Sequence, residues 1–169
     1  MARENAVVDV ILELSPTPRV AAAEIVRPRT EHLTVRFSGG RVGVVDVSAA
    51  RGRVWAEVLE SLHATGQPAY VEIEPQSGLI TELLQPVRYD VGRLLGDDKR
   101  ALEVELVISQ ARHYLPRSHP RFLELRTMLE QAREHARPVY VTESDDHQIV
   151  DVRPAPGEGR PRARTRAGR

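Results

Sequence analysis

Apolar and polar positions along the chain follow one pattern twice. Shifted by seventy residues, Trp55 falls on Leu125, Leu59 on Leu129, Pro68 on Pro138, Tyr70 on Tyr140, Val71 on Val141 and Pro86 on Pro156. Leu79 and Ile80 fall on Ile149 and Val150 in the same way. A recurrence this regular predicts two supersecondary units of one kind.

The elements follow from the periods. Residues 7–14 are rich in Val, Ile and Leu and predict a strand, broken by Ser15-Pro16-Thr17-Pro18 because two prolines fix φ and remove donors. Residues 20–26 predict its returning partner. Leu33-Thr34-Val35-Arg36-Phe37 alternates strictly, the period of a half-buried strand. Ser38-Gly39-Gly40 supplies the reversal, and residues 42–48 return. Val54, Trp55, Val58, Leu59 and Leu62 then fall on one stripe of a helix, stopped by Gly66 and Pro68. Ala69, Val71 and Ile73 alternate with polar residues before Pro75-Gln76-Ser77-Gly78 turns the chain into a strand over 79–84.

The second round predicts strands over 88–95 and 102–108. A helix follows on Phe122, Leu125, Leu129, Ala132 and Ala136, then a hairpin over 139–143 and 149–153. Its exit Ser109-Gln110-Ala111-Arg112 resembles Ser48-Ala49-Ala50-Arg51 at an offset of sixty-one. That predicts about nine inserted residues within 113–121.

The expected fold is α+β, with mainly antiparallel hairpins and two helices. It is expected to form a tandem pseudo-repeat of hairpin, hairpin and helix twice over, then a last hairpin, with small barrel-like units as the candidate form. A helix set between strands three and four of a five-strand run resembles the order of an OB barrel. Residues 1–86 form the first unit and 87–153 the second. Residues 154–169, dominated by Pro, Gly and Arg, are expected to be a disordered tail.

Composition narrows the chemistry. The chain has 169 residues and no Cys, which excludes disulfides, thiolate nucleophiles and Cys-based zinc sites. No apolar run approaches a membrane span, and acidic residues stand where a signal peptide needs an apolar run. The expectation is a cytoplasmic protein with no membrane partner. The formal net charge is zero but uneven: from residue 153 onward six arginines face one glutamate, so the body is mildly acidic and the tail basic.

The first candidate site is the inserted segment. Arg112, His113, Tyr114, Arg117, His119 and Arg121 stand with no acidic residue between Glu105 and Glu124. Arginine forks and a stacking Tyr suit an acidic protein surface or phosphate. The plain alternative is a solvated loop whose Pro116 and Pro120 lead into the helix. The second candidate is the tail, where Arg160, Arg162, Arg164 and Arg166 form a polycation able to hold nucleic acid by counterion release.

Other residues point away from catalysis. Asp145-Asp146-His147 sits at a hairpin tip, where neighbouring side chains rarely converge, so no metal or cofactor is expected. His113 and His119 miss the spacing of a helical zinc pair. His32, His63 and His135 look like surface residues. Ser48 and Ser109 lack a local base or oxyanion donor and are expected to be helix-start or turn residues. Trp55 belongs to the core stripe. Asp46, Glu72, Glu74 and Asp151 are the carboxylates from which a dispersed active site would be built. The functional expectation is a non-enzymatic binding or adaptor protein acting on another protein. The alternative is a nucleic-acid-binding protein with a barrel platform and basic tail.

Overall fold

The structure, a computed structural model, describes residues 6–16, 32–97 and 99–156. Among the described residues, two helices and eleven strands in antiparallel sheets give an α+β fold. The chain divides between Pro86 and Val87 into two compact units. No helix among the described residues is long and apolar enough to cross a membrane.

The first unit runs β1 (Ala6–Pro16), β2 (His32–Phe37), β3 (Val42–Asp46), α1 (Ala50–Thr65), β4 (Pro68–Ile73) and β5 (Ile80–Leu84). Its sheet order is β3-β2-β1-β4-β5. Three consecutive strands with a fourth returning beside the first make a Greek key. β1 serves two partners: Ala6 to Val10 pair with β4, and Ile11 to Pro16 pair with β2, with a bulge between Ile11 and Glu13. The bulge bends the strand. The Ile11 carbonyl there accepts a hydrogen bond from His63 Nδ1 on α1 (2.9 Å), so His63 ties helix to strand. A parallel bridge between Val44 and Leu79 joins the two edges, with the Val44 amide donating to the Gly78 carbonyl (2.9 Å). The sheet is thereby closed into a barrel.

Alternation puts Leu33, Val35 and Phe37 of β2 into its core, where Leu59 and Leu62 of α1 meet them. Gly66 ends the helix in the left-handed conformation (φ 64°), which glycine adopts without a Cβ clash. The stripe differs from expectation at its start. Val54 faces solvent, and Gly52 is the buried contact, its backbone lying against the carbonyl of Asp46. Trp55 packs at the margin of this core beneath the Arg51 guanidinium (4.2 Å). The strand expected over 20–26 lies outside the described residues.

The second unit repeats the plan: β6 (Val87–Tyr89), β7 (Val91–Asp97), β8 (Ala101–Leu106), β9 (His113–Pro116), α2 (Phe122–Glu134), β10 (Val139–Glu143) and β11 (Ile149–Pro154). Only Asp90 separates β6 from β7. β6 pairs with β10 and β7 with β8, so together they do the work of β1. A parallel bridge from Tyr114 to Gln148 closes this barrel, and the Tyr114 amide donates to the His147 carbonyl (3.0 Å). Its core gathers Leu102, Val104, Leu106, Leu115, Leu125, Leu129 and Val152. Even a surface ion pair recurs with its charges exchanged: Arg36 with Glu13 in the first barrel, Glu105 with Arg93 in the second. In both units a helix precedes the last hairpin: α1 lies before β4 and β5 in the first, and α2 before β10 and β11 in the second.

One expectation is corrected. The nine-residue insertion does not exist, because His113–Pro116 is β9, the counterpart of β3. The seventy-residue repeat carries Val44 onto Tyr114, the two bridge residues. The similar serine-led segments belong to different places: Ser48 follows β3, whereas Ser109 follows β8. The turn after β8 is only two residues longer than the turn after β2, six against four.

Candidate functional site

β9 alternates, with His113 and Leu115 buried and Tyr114 and Pro116 turned toward the surface. An inward histidine needs partners, because an unpaired buried polar group is costly. His113, 1% exposed, has one on each ring nitrogen. Nδ1 hydrogen-bonds Oε1 of Glu143, and Nε2 shares a hydrogen bond with Ser109 Oγ (2.7 Å). Glu143 ends β10 just past a bulge, which breaks the alternation there. Its other oxygen lies 3.5 Å from Nδ1 of His147. The His147 ring stands edge-on to His113, centroids 5.7 Å apart. His147 holds φ 59° in the tight turn after β10, its amide donating to the Ser144 carbonyl (3.0 Å). Tyr89 completes the surroundings, its ring 6.0 Å from His113. Burial, and secondarily the Glu143 charge, pushes its hydroxyl above the usual tyrosine range, so it stays neutral.

The first barrel has a glycine at the matching position. The register that places His113 opposite Val104 places Gly43 opposite Val35. The bulge before Glu143 recurs before Ile73. A Cβ on Gly43 would lie 2.8 Å from Ile80 Cγ1 and 3.3 Å from Ile73 Cδ1. One barrel therefore fills the position with isoleucine, and the other builds a histidine–glutamate centre.

The six residues singled out from the sequence do not act as one cationic patch. Arg121 forks onto Glu124 (2.7 and 2.8 Å) and reaches buried Asp151 (2.6 Å), which also accepts from Arg153 (2.8 Å). These bonds hold the Glu124 carboxyl below its ordinary range, the Arg121 hydrogen bond being the largest cause. His119 Nε2 donates to the Val150 carbonyl (3.0 Å), and its Nδ1 accepts from the Arg121 amide (3.1 Å), latching the start of α2 to β11. Arg117 lies over the Phe122 ring at 5.3 Å. Arg112 points outward, 3.8 Å from Glu103. The segment lacks acids in sequence, but strands β8, β10 and β11 and helix α2 bring Glu103, Glu143, Asp151 and Glu124 to it. Arg160, Arg162, Arg164 and Arg166 lie outside the described residues.

The other carboxylates are answered locally. Asp46 caps Ser48 (amide 2.9 Å, hydroxyl 2.5 Å), which lowers its pKa. Glu72 accepts from the Tyr70 hydroxyl (3.0 Å), and Glu74 from Ser77. At the hairpin tip, Asp146 bonds Ser144 and Gln148 (both 2.5 Å), so the acid facing His147 is Glu143 and neither aspartate.

Sequence reasoning passed over Glu143 and dismissed Ser109 for want of a base. The structure supplies one, since Ser109, His113 and Glu143 form a continuous hydrogen-bonded chain in the order of an acyl-transfer triad. Acyl transfer also needs donors aimed at an oxyanion. The nearby Ala111 amide is instead aimed at Ser109 Oγ itself (3.2 Å). A pocket of about 460 Å³ between the end of α2 and the ends of β10 and β11 is lined by His135 and Arg137 and contains none of these groups. No known protein family, curated protein or solved structure matches the chain.

Proposed function

We propose that the chain is a cytoplasmic, non-enzymatic binding protein that captures another protein through residues 107–112, the connection from β8 to β9. The observation behind this reading is Ile108. It is 92% exposed and holds φ 67°. The left-handed conformation costs a β-branched residue on the order of 1–2 kcal/mol. In the matching turn of the first barrel the residues are Ser38-Gly39-Gly40. Neither folding nor solubility favours an isoleucine here, and Val107 beside it is exposed too. With Arg112 outward on the same connection, the complementary surface is apolar and rimmed by carboxylates.

Nucleic acid is less favoured. On the outer face of β8, Glu103 and Glu105 answer Arg112 and Arg93 and leave no excess of positive charge for phosphate, and β9 adds a single aromatic, Tyr114.

Ile108→Gly separates strain from function. It should raise the unfolding free energy by about 1 kcal/mol in urea, because glycine accepts this φ. It should also weaken capture of the partner in crosslinking pull-downs from cells expressing the chain. Undiminished capture by Ile108→Gly combined with Arg112→Ala removes this connection from the account.

A further inference from the structure

We propose that His113, Glu143 and His147 form a binding site for one divalent transition-metal ion of the zinc class. One ligand atom from each residue lies within 4.8 Å of the others. Two imidazole nitrogens and one carboxylate oxygen are a set that zinc accepts, with a fourth position left to water. The backbone brings them together from three places: an inward position of β9, the bulged end of β10 and the turn that follows it.

Three independent features support the assignment. The far nitrogen of His113 is fixed by Ser109 Oγ at 2.7 Å, the outer contact that orients a metal-bound histidine. A hydroxyl suits this place because it can donate or accept. In the metal-free chain Nδ1–H faces Glu143, and Nε2 accepts from Ser109. With the ion bound, Nδ1 supplies its lone pair, the proton resides on Nε2 and Ser109 accepts. Access is open on one side, since the His147 side chain is 54% exposed while His113 is sealed inside. The first unit, with the same strand register at this point, packs Ile73 and Ile80 against Gly43, so the fold does not require a polar centre here.

The test uses the full chain stripped with a chelator, titrated with zinc in a calorimeter and with cobalt by visible absorption. The wild type should take up one zinc per chain and give the absorption of cobalt with nitrogen and oxygen ligands in a four-coordinate site. His147→Gly keeps the turn, because glycine accepts φ 59°, and should bind at least about tenfold more weakly. Glu143→Gln should do the same, and Ser109→Ala should lose about tenfold through orientation alone. No zinc uptake by the wild type overturns the site. So does wild-type affinity in both His147→Gly and Glu143→Gln, which would place the metal on other histidines.

Discussion

Gly52→Ala is expected to cost the first barrel more than about 4 kcal/mol, or to prevent it from folding. Helix propensity alone predicts the opposite sign, since Ala in a helix interior is favoured over Gly by about 1 kcal/mol. Geometry decides between them. A Cβ on Gly52 would lie 1.7 Å from the carbonyl oxygen of Asp46, 2.7 Å from its carbon and 3.3 Å from the Val47 Cα. All three are backbone atoms, so no rotamer change relieves the overlap. Helix α1 would have to lift off the end of β3 and uncover Leu59 and Leu62. Trp55, the only tryptophan, lies in this barrel and reports its unfolding by fluorescence in urea. A stabilised Gly52→Ala would show that the helix does not sit where the structure places it.

Asp151→Ala should cost the second barrel about 3 kcal/mol. Asp151 is 2% exposed and accepts from two guanidinium groups, Arg121 of the α2 start and Arg153 of β11. Removing it leaves two cations converging on no charge. Arg121 keeps Glu124 and remains partly exposed, which holds the loss to the lower end of the range for broken buried pairs. Asp151→Asn retains an acceptor of the same size and should lose less. Urea midpoints by circular dichroism compare the two. Indistinguishable stability of Asp151→Ala and wild type would reduce the network to a surface ion pair of little weight.

Much of the fold is legible in the sequence because apolar spacing records it directly. Leu33, Val35 and Phe37 alternate in the sequence and alternate in the barrel, and Leu59 and Leu129 recur as fully buried helix anchors. What escaped depends on contacts that spacing does not encode. β9 has four residues, and its first inward position is His113, so no apolar alternation marks it as a strand. Glu143 lies thirty residues from His113, and the bulge at Thr142 and Glu143 alters the alternation that would otherwise place it. Gly52 gives no pattern at all, because its importance is a missing atom. The basic segment carries no acid along the chain, whereas its counter-ions arrive through space from α2, β8, β10 and β11. The candidate site was thus half legible, with His113 and His147 picked out separately and Ser109 and Glu143 assigned no partner.

The likeness of the two units gives the polar centre its meaning, since the strand register that holds Gly43 in the first holds His113 in the second. The likeness extends to closure, where one amide in each unit, Val44 and Tyr114, donates to Gly78 and His147 beside a parallel bridge. Amide hydrogen exchange followed residue by residue tests it. Both amides should exchange as slowly as those of the central strands β2 and β8. Fast exchange at either one would mean an open sheet in that unit, and the two units would not share a closed form.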